Sequence, residues 1–109
     1  MSVATPAPVL GLLTRQRLLA LLSDSLPDMV RRFEVLNLRV FGSAARDELR
    51  DDSDVDVLVE FNAPATFRQY MGLKFYLEDL LGRRVDLVTT KGLRQEFRLT
   101  VEQEAIVVA

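Results

Sequence analysis

The residues best suited to chemistry lie between positions 42 and 56, where a Gly-Ser turn is followed by two aspartates. Gly42 and Ser43 come after the apolar run 38–41 and before helix-tolerant residues, so we predict that a strand ends and a helix begins there, with free backbone N–H groups that attract phosphate. Asp54 and Asp56 open a β-branched run, and the period-two alternation of a strand puts both carboxylates on one face. Such a pair repels unless a cation joins it, and Mg²⁺ binds through one or two carboxylates together with water and substrate phosphates. The combination is what nucleotidyl transfer requires.

A third carboxylate, Asp86, lies in a second β-branched run and is predicted to occupy a neighbouring strand. Three converging carboxylates, Asp54, Asp56 and Asp86, could hold two Mg²⁺ ions that stabilise an in-line displacement at the α-phosphorus of a nucleotide. The reaction needs no histidine, and the sequence contains none. Asp86, as the least shared of the three ligands, is then the candidate base for the attacking hydroxyl.

Each feature also has an ordinary interpretation. A Gly-Ser turn alone often only connects a strand to a helix, and an Asp-x-Asp pair is often a solvated strand edge. Ser43 could bind a phosphate oxygen or cap the following helix. Arg46 could neutralise a triphosphate or pair with Asp47, Glu48 or another acid, and Ser53 could be a ligand or a local turn-former for the aspartates. The functional interpretation therefore depends on the spacing of the Gly-Ser turn and the three aspartates taken together.

The remaining chain predicts alternating helices and strands around this set. Residues 1–12 read as a flexible leader and 13–109 as one folded domain. We expect a first helix rich in leucine from about Thr14, and a second capped by Ser25 before Pro27. The other predictions are a strand over about 35–41, a second strand that Asp54 and Asp56 open and that ends before Asn62, and a third over about 84–89. We also expect a long helix over 67–81 that ends at Gly82, a final amphipathic helix and a short tail over 105–108.

Composition narrows the functional class. The chain has 109 residues, with 14 basic and 16 acidic side chains and a net charge of −2, which argues against a nucleic-acid surface built on a basic patch. It has no cysteine, which excludes disulfides, zinc-thiolate sites and thiol catalysis. No secretory or membrane-spanning segment is visible, so we expect a cytoplasmic protein with no membrane partner.

The spacing resembles that of the minimal nucleotidyltransferases of the DNA polymerase β superfamily, whose pattern is Gly-Ser, ten residues, then Asp-x-Asp. Gly42-Ser43 and Asp54-Val55-Asp56 match it, and the similarity runs from about Leu38 to Val88. The resemblance implies an α/β (α+β) fold with a small mixed sheet flanked by helices. It also implies ATP and Mg²⁺, with Gly42, Ser43, Arg46 and Ser53 near the nucleotide. One departure is Asp47, where relatives usually have glycine, which would be awkward if that position has positive φ.

Members of this group are paired with HEPN ribonucleases in toxin–antitoxin modules and transfer AMP from ATP to a tyrosine hydroxyl of the toxin. The resemblance therefore implies a protein adenylyltransferase antitoxin, able to form a hetero-oligomer with a HEPN toxin. A second hypothesis is a non-catalytic antitoxin that occludes its partner, for which Asp47 is the main support. Transfer to a small molecule such as an aminoglycoside is weaker, because the chain has no room for a further substrate-binding domain.

Overall fold

The computed structural model describes residues 13–108, which form four helices and four strands in a mixed order. The proposed leader over residues 1–12 lies outside the described residues. Among those described, no helix combines the length and apolar character that crossing a membrane requires. The elements are α1 (Arg15–Phe33), β1 (Val35–Phe41), α2 (Gly42–Ala45), β2 (Val55–Phe61), α3 (Phe67–Leu81), β3 (Val85–Thr89), α4 (Gln95–Glu104) and β4 (Ile106–Val107).

The strands form one sheet in the order β3-β2-β1-β4. β1 runs antiparallel to β2 and β4, whereas β2 and β3 are parallel and are connected through α3, as a parallel pair requires a crossover. This confirms the predicted small mixed sheet flanked by helices. Residues on one sheet face pack with α1 and α3 into a fully buried core that includes Leu18, Leu22, Leu38, Val40, Val55, Val57, Val59, Leu73 and Leu77.

The predicted break in the first helical region is wrong, because α1 continues through Pro27. Leu18, Leu22 and Met29 form one buried stripe at helical spacing, and burying that stripe favours a continuous helix. Pro27 and Ser23 are both exposed, so water can satisfy the Ser23 carbonyl that the proline leaves without its helical donor. Tertiary packing outweighs the local signal.

The long helix α3 ends where the sequence predicts. Thr66 and Gln69 form a capping box at its start, and Gly82 ends it with φ of 68°. Its Tyr70 hydroxyl donates to the backbone carbonyl of Leu87 in β3. This contact ties the crossover helix to the strand that carries Asp86.

Candidate active site

The candidate catalytic residues meet at one edge of the sheet. Because β1 is antiparallel to β2 and β2 is parallel to β3, the end of β1 lies beside the starts of β2 and β3. The register pairs Phe41 with Asp56 and Asp56 with Asp86. Asp56 is therefore central, with the Gly42 turn on its β1 side and Asp86 on its β3 side. The predicted placement of Asp86 on a neighbouring strand is confirmed.

Asp56 is the most perturbed carboxyl group at this edge. Burial raises the pKa of Asp56 to about 6 from its ordinary 3.8, and the charges of Asp86 and Asp54 and a hydrogen bond with Asp86 act in the same direction. Neighbouring strands are only about 5 Å apart, so the carboxylates of Asp56 and Asp86 are held together by the sheet itself. A group of negative charges at such a distance attracts a cation.

Asp54 lies in the loop directly before β2 and contributes to the negative field at Asp56. Its carboxylate is 3.4 Å from the guanidinium of Arg84, and the Arg84 side chain is 81% exposed and that of Asp54 47%, so water screens this pair. Within residues 13–108, no cluster of three or more acidic side chains encloses an ion site by itself. This arrangement still fits Mg²⁺, since that ion keeps several waters and substrate oxygens in its shell.

Gly42 begins α2 immediately after β1, as the sequence predicts, and it adopts φ of 68°. A Cβ built at Gly42 would lie 2.2 Å from Oδ2 of Asp56, closer than any real contact. The position therefore needs glycine both for its backbone conformation and for the close approach of the carboxylate. The Gly42 turn and the Asp56 carboxylate are therefore packed directly against each other.

Arg46 follows α2, and its guanidinium contacts two acids. Its Nε donates to Glu48 at 2.8 Å, and its Nη1 donates to both carboxylate oxygens of Glu104 at 3.0 Å. Of the acids that the sequence left open as partners, Glu48 is the one that Arg46 contacts nearby, whereas the long-range partner in α4 could not be chosen from the sequence. The positive charge of Arg46 also acts to lower the pKa of Asp56, because the guanidinium lies near the cluster of three aspartates.

Asp47 has φ of 60°, so it occupies the left-handed conformation that makes a glycine useful there. Its side chain has a partner, because Oδ1 accepts from the backbone N–H of Arg15 at 2.7 Å. The Arg15 guanidinium in turn donates to the carbonyl of Ala45 at 3.1 Å. Asp47 thus caps the start of α1 and joins that helix to the end of α2.

Ser53 closes the turn before the aspartates. Its hydroxyl accepts from the backbone N–H of Arg50 at 3.0 Å, and its own N–H donates to the Arg50 carbonyl at 3.1 Å. Arg83 adds a donor to the carbonyls of both residues. These contacts confirm the turn-forming interpretation of Ser53. For Ser43, the carbonyl accepts from Glu48 N–H at 2.8 Å, which holds the loop after the turn.

Sequence comparison agrees with this geometry. The nucleotidyltransferase domain model matches residues 22–108, which is most of the chain. The chain belongs to the nucleotidyltransferase family. The protein adenylyltransferase MntA of Thermococcus cleftensis is 37% identical to this nucleotidyltransferase over 99 residues, covering 91% of the chain and all of the relative.

Solved structures agree at the level of the fold. One named as a minimal nucleotidyltransferase is 40% identical with a TM-score of 0.74, covering 86% of this chain and 95% of that one. A chain in the structure of a tri-AMPylated Shewanella oneidensis HEPN toxin with its MNT antitoxin has a TM-score of 0.61 at 17% identity, covering 84% and 71%. The second match shows a shared fold only. Together with the family model, these matches confirm the resemblance to minimal nucleotidyltransferases.

Proposed function

We propose that this nucleotidyltransferase is an Mg²⁺-dependent antitoxin that transfers AMP from ATP to a tyrosine hydroxyl of a HEPN toxin and thereby neutralises it. The observation that carries the proposal is the pairing of Asp56 with Asp86 across two strands, directly beside Gly42, where an added Cβ would clash with the Asp56 carboxylate. The choice of AMP and of a protein acceptor is supported by the adenylyltransferase relative that spans nearly the whole chain.

Asp54, Asp56 and Asp86 would hold the metal. Bound Mg²⁺ would neutralise the carboxylates and stabilise charge on the phosphates during an in-line displacement. Asp86 lies at the β3 side of the group and is exposed, so it can accept the proton of an incoming hydroxyl. Gly42 and Ser43 would offer backbone N–H groups to phosphate oxygens on the β1 side.

Arg46 would bind the triphosphate by exchanging partners. It is held by the exposed Glu48 and by Glu104, and phosphate oxygens present the same bidentate geometry to a guanidinium as a carboxylate does. The two ion pairs keep the guanidinium near the reaction centre before ATP arrives. Ser53 would contribute to ATP binding indirectly, by forming the turn that positions Asp54.

The competing hypothesis is a binding antitoxin that works by occlusion. Its main support from the sequence was the doubt that Asp47 casts on the phosphate turn. Asp47 has a structural partner in Arg15, and its carboxylate is directed to a helix start, where a negative charge is favourable. The departure from glycine therefore gives no reason to expect a degenerate site.

The decisive experiment is intact-mass spectrometry of the neighbouring gene's product after incubation with this protein, ATP and Mg²⁺. The Asp54→Asn, Asp56→Asn double variant should lose the adenylyl increment. The Asp51→Asn, Asp52→Asn double variant removes the same two charges from exposed positions of the same loop and should retain it.

An increment that survives loss of both Asp54 and Asp56 would refute the metal assignment. No increment with wild-type protein, together with a stable complex that inhibits the partner equally well with the double variant, would establish occlusion instead.

A further inference from the structure

A cavity of about 380 Å³ lies between α4 and the sheet and reaches the reaction centre. Asp86 lines it directly, beside a set of apolar side chains from β1, β3, α4 and the loop that precedes α4. Its volume is within the range of small-ligand sites. The apolar lining residues are Phe41, Val88, Leu93, Phe97 and Val101.

The cavity extends from Phe41 at the end of β1 to Asp86 on β3, and the strand order indicates which reactant lies at its Asp86 end. The attacking and leaving oxygens of a phosphoryl-type displacement stand on opposite sides of the phosphorus. Under the proposed function the leaving pyrophosphate points to the Gly42 turn on the β1 side of Asp56, so the acceptor approaches from the β3 side. Asp86 is the carboxylate on that side. An acceptor hydroxyl near Asp86 would have the rest of its side chain in the cavity.

The chemistry of the lining selects the acceptor. Asp86 and Glu104 outnumber Arg94 among the charged residues that line the cavity, so its net charge is negative and disfavours a phosphate group. Serine or threonine would leave the apolar walls in contact with water. A phenol fills them with a flat apolar ring and still carries the hydroxyl to Asp86.

We propose that this cavity is the acceptor subsite, which holds the aromatic ring of a tyrosine and directs its hydroxyl to Asp86. The inference rests on the proposed function and adds a residue-level account of why tyrosine is the acceptor. In the transfer, a bond forms between the phenolic oxygen and the α-phosphorus, while the bond from that phosphorus to the oxygen bridging to the β-phosphorus breaks. Pyrophosphate leaves with the electron pair, and the phenolic proton goes to Asp86.

Phe97 offers the cleanest test. Its side chain is 52% exposed, so Phe97→Ala removes one wall of the cavity and little of the core. Leu99 is on the same helix, is 67% exposed and does not line the cavity, which makes Leu99→Ala the matched control. Loss of the Phe97 ring removes both an aromatic contact and the apolar area it buries, so it should weaken phenol binding about tenfold, which corresponds to about 1.4 kcal/mol.

The measurement is NMR titration of the full chain with N-acetyl-tyrosinamide, which requires no turnover. We expect shifts at Phe97, Val101 and Val88, about tenfold weaker binding in Phe97→Ala, unchanged binding in Leu99→Ala, and no such shifts with N-acetyl-serinamide. Unmoved cavity signals with tyrosinamide would overturn the proposal. So would cavity shifts with Mg²⁺ and α,β-methylene ATP that weaken in Phe97→Ala, because the cavity would then hold the nucleobase.

Turnover with the partner protein separates this inference from the function it rests on. In Phe97→Ala the KM for the protein acceptor should rise about tenfold while the KM for ATP is unchanged. If the variant adenylylates its partner with unchanged acceptor KM, the subsite is wrong and the proposed function stands. If the wild-type protein transfers nothing, both fail.

Discussion

Replacing Asp56 with asparagine should abolish transfer and at the same time stabilise the metal-free protein at neutral pH. The folded state keeps Asp56 half-buried beside two other carboxylates, and these surroundings raise its pKa to about 6 from 3.8. Between these two values the folded protein binds more protons than the unfolded chain. The stability contributed by protonated Asp56 is therefore lost as pH rises from about 4 to about 6.

The size of the effect follows from that shift. A difference of about two pKa units corresponds to about 3 kcal/mol, at about 1.4 kcal/mol per unit. Asp56 is only partly buried and its charge is partly screened by water, so we expect about 1 to 2 kcal/mol. For a domain of this size, that amount is about 5 to 10 °C in melting temperature. Asparagine has nearly the shape of the carboxyl group but no charge to repel Asp86.

Thermal unfolding followed by circular dichroism, with EDTA present, tests this expectation. The melting temperatures of wild type and Asp56→Asn should coincide near pH 4 and diverge up to about pH 7, with the variant higher. Asp51→Asn removes an equal charge from an exposed loop position and should show no such divergence. A variant that is less stable than wild type at about pH 7 would refute the argument that carboxylate repulsion is built into this edge.

Three further results are expected. Gly42→Ala should lose transfer and about 1 to 3 kcal/mol of stability, whereas Gly82→Ala, with the same φ of 68° but nothing within 4 Å of its Cβ, should lose stability alone, as activity assays and urea unfolding would reveal. Asp47→Ala should cost about 1 to 2 kcal/mol in urea unfolding and Asp47→Asn far less, because asparagine keeps both the acceptor for Arg15 and a tolerance of positive φ; equal losses would disprove the capping role. Mg²⁺ should raise the melting temperature of wild type but not of the Asp54→Asn, Asp56→Asn double variant, and equal shifts would contradict the metal assignment.

The local sequence pattern was sufficient to predict the elements in which the apolar residues follow a single period, either that of a strand or that of a helix. The alternation around Val57 predicts β2 because every second residue enters the core, and the cap residues at Thr66 and Gly82 bound α3. The spacing of Gly42 from Asp54 and Asp56 predicts the site because turn, loop and strand have little freedom over so short a segment. The β-branched run around Asp86 likewise predicts that this residue lies on a strand neighbouring that of Asp56.

Long-range contacts were not predictable in the same way. Nothing near Asp47 indicates that its partner is Arg15, since the two residues meet only when the start of α1 packs beside the end of α2. The choice of Glu104 for Arg46 likewise depends on where α4 lies. Pro27 misled the prediction of α1 because the sequence does not show that the proline would face water.

The candidate site lies where its unfavourable features destabilise the fold least. Its unfavourable features are the crowded carboxylates and the left-handed backbone at Gly42 and Asp47, and all of them occur at the ends of strands or in the segment just beyond. One residue further along the same strands β1 and β2, Val40 and Val57 are fully buried and pair in register, so the core does not depend on the site. Substitution of the aspartates should therefore remove chemistry without unfolding the chain, and this separation is what allows a loss of transfer to be read as a property of the site.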